Sequence, residues 1–152
     1  MSEAKLSPTL EDYLETIYEL CRQEGIARVK DIAARLSVTN PSAVGAIKAL
    51  KRRNLVCQER YGYVRLTGSG EEVGAAILHK HDVLSHFLEQ VLGLDPATAS
   101  RDACRLEHAV SPETVRRLLA VAEFIRSRRE GALDWQEAFQ LFYRKRRGAK
   151  ST

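Results

Sequence analysis

The chain changes its hydrophobic period at Leu55, and that switch constrains the fold more than any other feature of the sequence. Before it, apolar residues recur at three- and four-residue spacing. Leu10, Tyr13, Leu14, Ile17, Tyr18 and Cys21 make one stripe, Val29, Ile32, Ala33 and Leu36 a second, and Ala43, Ile47 and Leu50 a third. This spacing collects side chains on one face of an α-helix. Ser7, Pro8 and Thr9 supply start signals for the first helix, Gly25 stops it, and Asn40 with Pro41 opens the third. From Leu55 the runs LVCQER and YVRLT alternate around Tyr61 and Gly62, which predicts a two-stranded hairpin. Thr67, Gly68, Ser69 and Gly70 break it. Helical spacing then returns in a long helix from about Glu71 to Leu92, closed by Gly93, and in shorter ones near residues 96–109, 112–129 and 135–146.

Helix, helix, turn, helix, hairpin is the order of a winged helix-turn-helix. The fold class expected is therefore mainly α: a winged helix-turn-helix of three helices plus a β-hairpin wing over residues 1–72, then an all-helical domain over 73–147. A disordered basic tail is expected over 148–152. With 152 residues the chain can bury about 70% of the surface of its unfolded form, enough for real cores in two small domains. No apolar run reaches the roughly 20 residues of a membrane span and the start lacks a secretory core, so the cytoplasm is the expected location. Cys21, Cys57 and Cys104 are an odd, scattered set, which argues against a disulfide framework. Cys21 and Cys57 read as structural residues.

Charge follows the same organisation. The net charge of +4 resolves into −4 over residues 1–27, +7 over 28–65, −4 over 66–143 and +5 over the last nine. The +7 segment coincides with the helix-turn-helix and wing, so charge and periodicity select the same residues for a polyanion, above all duplex DNA. On the third helix and the turn before it, Thr39, Asn40, Pro41, Ser42, Gly45 and Lys48 lie off the apolar face, where base edges can be reached. Lys51, Arg52, Arg53, Arg60 and Arg65 suit phosphates. The competing reading of these cations is an ordinary solvated face.

Two further clusters carry metal-ligand chemistry. Asp12 and Glu15 share one side of the first helix. Cys104, Glu107 and His108 stand at i, i+3 and i+4 in DACRLEHAVS, and His81 lies on the long helix. Thiolate, imidazole and carboxylates together suit Fe(II), Mn(II), Co(II) or Zn(II). Each residue also has a plainer reading. Asp12 could complete a capping box with Thr9, Glu15 could be solvated, Cys104 could be a small buried residue, Glu107 and His108 an exposed polar pair, and His81 a core histidine. His79 and His86 read as surface residues. Leu118, Leu119 and Val121 offer either a dimer interface or an intrachain face, and Trp135, Phe139 and Phe142 are expected to pin the last helix to the core.

The strings EDYLETIYEL, KHDVLSHFL and ACRLEHAVS, arranged around a winged helix ending in LTGSG, resemble the metal-dependent repressors of the diphtheria toxin repressor and manganese transport regulator family over residues 7–145. The resemblance implies a homodimeric transcription factor that binds Fe(II) or Mn(II), one or two ions per chain, and represses metal-homeostasis genes at palindromic operators. Co(II), Ni(II) or Zn(II) would be surrogates. Asp12, Glu15, His81, Glu107 and His108 match the ligands of manganese-type members, whereas Cys104 resembles the iron type. Iron-type members usually have methionine at the place of Asp12, and their ancillary-site positions align with Ser85 and Ser100. The absence of an SH3-like C-terminal domain resembles the short manganese class. In that hybrid, one ion would be held by Asp12, Cys104, Glu107 and His108, with Glu15 and His81 completing the site or forming a second. The alternatives are a winged-helix regulator governed by an organic ligand or thiol oxidation and, further off, a small metallohydrolase with Glu107 as base. No enzyme motif such as H-E-x-x-H is present in the sequence, and neither a membrane nor a small organic substrate is an expected partner.

Overall fold

A computed structural model of the chain describes residues 6–127 and 135–148. It divides into two compact units, Met1–Leu78 and His79–Thr152.

In the first unit, α1 (Pro8–Glu24), α2 (Val29–Leu36) and α3 (Asn40–Arg52) surround an apolar centre, and β2 (Val56–Gln58) with β3 (Tyr63–Leu66) forms the hairpin. The α1 N-terminus is capped by Ser7, whose hydroxyl accepts from Leu10 N at 3.4 Å, and Gly25 closes the helix in the left-handed conformation. Leu14, Ile17, Ile32, Ala43, Leu50 and Val64 are all fully buried, which realises the three predicted stripes. One element was not legible: β1 (Ala27–Arg28) pairs with β3, giving a three-stranded antiparallel sheet in the order β1-β3-β2. Two residues are too few for alternation to register in the sequence.

The segment Thr67–Gly70 ends the hairpin as expected and also opens the next helix, which starts at Gly68 rather than near Glu71. Thr67 Oγ1 accepts from Gly70 N at 3.0 Å and donates to the Asn54 carbonyl at 2.6 Å, and α4 runs Gly68–His86. Threonine is a good N-cap, and glycine is admissible in a first turn that packs closely. A Cβ at Gly70 would collide with the Leu55 carbonyl.

In the second unit α4 ends in a π-helical turn, Phe87–Val91, on which α5 (Pro96–Leu106), α6 (Pro112–Ser127) and α7 (Trp135–Gly148) pack. Val83, Leu84, Val91, Ala99, Ala103 and Val115 are its buried apolar residues. The anchoring of α7 differs from expectation. Phe142 is 58% exposed and Trp135 46%, while Trp135, Phe139 and Tyr143 stack along the helix with centroids 6.2 and 6.1 Å apart. The i, i+4, i+8 row satisfies its rings on one another, and Gln140, donating to the Leu92 carbonyl at 3.0 Å, ties the helix down. Residues 149–152 of the expected tail, and 128–129 of the helix expected over 112–129, lie outside the described residues.

Candidate metal centre and nucleic-acid interface

In the second unit the metal candidates gather at the end of α5. Asp95 caps its start, accepting from Thr98 N at 3.0 Å, and hydrogen bonding by the Thr98 side chain first, then by its backbone N–H, holds the Asp95 carboxyl below the usual carboxylate range. At the other end Glu107 is the C-cap and His108 follows. Glu107 is 1% exposed, the most buried charged side chain among the described residues. His81 Nδ1 on α4 stands 2.8 Å from its Oε2, and His108 Nε2 stands 3.5 Å from its Oε1. That second contact falls outside hydrogen-bond geometry, and Oε1 has no hydrogen-bond partner among the described residues. Cys104, Glu107 and His108 each offer a ligand atom within 4.8 Å of the others, as do His81 and Glu107.

A buried carboxylate oxygen without a hydrogen bond costs several kcal/mol, so such an atom calls for a cation. Two imidazoles and a thiol beside it form a donor set suited to a divalent transition ion. With Nδ1–H donating to the carboxylate, His81 carries its lone pair on Nε2, the arrangement by which a carboxylate orients a ligand histidine. The plain readings of Glu107 and His108 as an exposed pair, and of Cys104 as a buried apolar residue, fail: Glu107 is buried and Cys104 exposed. Sequence reasoning missed Lys80, whose Nζ donates to the Glu107 carbonyl at 2.8 Å. It lies within α4 next to His81, and nothing in the sequence signals that it reaches the C-terminal carbonyl of α5.

In the first unit, Asp12 and Glu15 are half-buried on one side of α1. Asp12 is not a capping residue, because Ser7 rather than Thr9 is the N-cap. Cys21 is inert by position: it contacts the Val64 carbonyl at 3.7 Å and burial pushes its thiol up. Cys57, expected to be structural, is exposed in β2.

The candidate DNA-reading residues are all exposed. Ser37, in the left-handed conformation, makes the turn between α2 and α3, and Thr39 caps α3 by accepting from Ser42 N at 3.3 Å. Thr39, Asn40, Pro41, Ser42, Gly45 and Lys48 are all exposed, opposite the buried Ala43, Ile47 and Leu50. Lys51, Arg52, Arg53, Arg60 and Arg65 are exposed as well, Arg65 pairing with Glu59 along the hairpin at 3.0 Å.

Two family models match end to end. Residues 5–64 match the N-terminal DNA-binding domain of iron-dependent repressors, and residues 67–136 match their metal-binding and dimerisation domain. The HTH-type transcriptional regulator MntR of Shouchella clausii (strain KSM-K16) is 30% identical over 131 residues, 86% of this chain and 91% of that protein. This chain is a member of the iron-dependent repressor family. Among solved structures, T. acidophilum IdeR superposes with a TM-score of 0.70 at 28% identity over 78% of this chain and 56% of that one. The manganese regulator SloR gives 0.69 at 30% identity over 78% and 55%. A manganese-dependent transcriptional repressor in complex with manganese gives 0.68 at 32% over 76% and 53%. The chain spans about half the length of these solved relatives. As an iron-dependent repressor family member it is a metal-dependent, DNA-binding transcriptional regulator, and no helix among its described residues is long and apolar enough to cross a membrane.

Proposed function

We propose that this family member is a cytoplasmic homodimeric repressor of metal-homeostasis genes that reads a palindromic operator only when a divalent ion occupies the Glu107 cluster. The observation that carries the reading is the buried Glu107 carboxylate, held on one oxygen by His81 and lacking a hydrogen bond on the other. Cys104, Glu107 and His108 hold the ion, His81 orients Glu107 or joins as a ligand, and Asp12 and Glu15 supply further carboxylates. The roles of Asp12 and Glu15 rest on the sequence pattern. Fe(II) and Mn(II) are the ions favoured, the thiol of Cys104 tilting toward the softer Fe(II) and the carboxylates toward Mn(II).

A bound divalent ion supplies the positive charge that this acidic cluster lacks. In this reading, ion occupancy and the orientation of the DNA readers in the dimer are one equilibrium. Shifting a dimer from mostly incompetent to mostly competent takes about 3–5.5 kcal/mol of differential affinity, which a multidentate site can provide. Thr39 to Lys48 then meet base edges while Lys51, Arg52, Arg53, Arg60 and Arg65 neutralise phosphates. The exposed Val121 and Phe124 on α6 provide apolar surface for the second copy. No catalytic step is assigned to the chain.

The test is duplex binding by wild type, His108→Ala and Cys104→Ser with Mn(II), with Fe(II) under anaerobic conditions, and with chelator. Metal-stimulated binding lost in His108→Ala and weakened in Cys104→Ser supports the assignment. Stimulation unchanged in both refutes it.

A further inference from the structure

The wing ends in a three-residue loop, Arg60–Gly62, closed by Glu59 N donating to the Tyr63 carbonyl at 2.8 Å. Two residues in succession have positive φ: Gly62 at 76° and Tyr61 at 70° with ψ 16°. Glycine and asparagine suit that conformation, and a bulky aromatic residue there is strained. The Tyr61 side chain gains nothing in return within the fold, since the residue is 91% exposed, the most exposed large hydrophobic among those described. Backbone and ring alike would be better served by another residue if folding were the only demand, so the demand comes from a partner.

The neighbours say which partner. Arg65 is engaged by Glu59 at 3.0 Å and Arg28 stacks over the Tyr63 ring at 5.6 Å, so both lie along the hairpin. Arg60, beside Tyr61 at the tip, makes no ion pair among the described residues and is exposed. A ring and a guanidinium presented together at the end of a narrow two-stranded ribbon, inside the basic segment and the matched DNA-binding domain, fit the minor groove. Its walls take an apolar or aromatic wedge and its negative potential takes arginine, most strongly where A·T pairs narrow it.

We propose that Tyr61 is a DNA-contacting residue that enters the minor groove flanking the bases read by α3, with Arg60 beside it, and so contributes sequence preference outside the α3 footprint. The inference rests on the DNA-binding reading above. It is tested with metal-loaded wild type, Tyr61→Gly and Tyr61→Phe, measuring selection from a random duplex pool, affinity for the selected duplex and thermal unfolding. Tyr61→Gly relieves the backbone strain, so it should melt at the wild-type temperature or above while binding about 5- to 150-fold more weakly, the range for loss of one aromatic–base contact. Its preference at the flanking positions should disappear while the central positions are kept, and Tyr61→Phe should bind close to wild type. Unchanged affinity and preference in Tyr61→Gly overturns the inference, as does a binding loss matched by a lower melting temperature. Wild type that binds no duplex with either ion overturns the DNA-binding reading itself, a failure distinguishable from that of Tyr61 alone.

Discussion

Glu107→Gln keeps the shape of the most buried charged side chain among the described residues and removes its charge. Without metal, the amide oxygen can still accept the His81 Nδ1–H bond made at 2.8 Å, so the stripped variant should fold with less than about 1 kcal/mol of change. With metal the two proteins should separate. Wild type at an ion concentration of about 100 Kd gains about 2.7 kcal/mol, and with roughly 2–4 °C per kcal/mol for a chain of this size its melting temperature rises by about 5–11 °C. Loss of a buried charged ligand costs about 3–5 kcal/mol, at least a hundredfold in affinity. At the same concentration the variant is then near half-saturation or below, gains at most about 0.4 kcal/mol, and shifts by at most about 1–2 °C. The assay is thermal unfolding of stripped protein with and without Mn(II), followed by circular dichroism. A metal-induced shift as large in Glu107→Gln as in wild type would refute the reasoning, because the ion would be held without the carboxylate that calls for it.

Within LTGSG, Gly70→Ala should destabilise the first unit by about 1–3 kcal/mol in urea unfolding, because the new methyl meets the Leu55 backbone. Gly68→Ala has open space and should be neutral or slightly stabilising. Because the Asp95 carboxyl is held below its ordinary range by Thr98, its cap contributes above the unfolded pKa and is lost as pH falls through the lower folded one. The melting-temperature gap between wild type and Asp95→Ala should therefore narrow from pH 5 toward pH 2, and a constant gap would show that the charge is idle. Arg52→Ala should weaken binding similarly across duplex sequences and lower the slope of log K against log salt by about 0.9, as measured by anisotropy between 50 and 200 mM salt, if it neutralises one phosphate.

The helices of the first unit were legible because each has a broad apolar stripe, and α1 and α3 also have side-chain caps: Leu14 and Ile17 on α1 and Ala43, Ile47 and Leu50 on α3 are buried as their spacing demands. The two-residue β1 carries no period of its own and exists through pairing with β3. Thr67–Gly70 ends the hairpin as read, but the helix after it starts at Gly68 rather than near Glu71, because local propensity penalises glycine in helices whereas close approach to Leu55 requires Gly70. At the metal cluster, spacing put Cys104, Glu107 and His108 on one face, but periodicity has no term for an oxygen left without a partner. The orphaned Oε1 of Glu107 and the Lys80 contact came only with coordinates. Phe142 was expected in the core because an i, i+4, i+7 aromatic row resembles a buried stripe, and the rings of Trp135, Phe139 and Tyr143 stack on one another instead.

The central claim is that metal occupancy and operator reading are one equilibrium. It is tested most directly by selecting from a random duplex pool with stripped wild-type protein at fixed salt, in parallel with chelator, with Mn(II), and anaerobically with Fe(II). Enrichment of a palindromic sequence only in the metal arms is the predicted result, and the ion that enriches it at lower concentration is the favoured effector. The same sequences enriched to the same extent in the chelator arm would contradict the account.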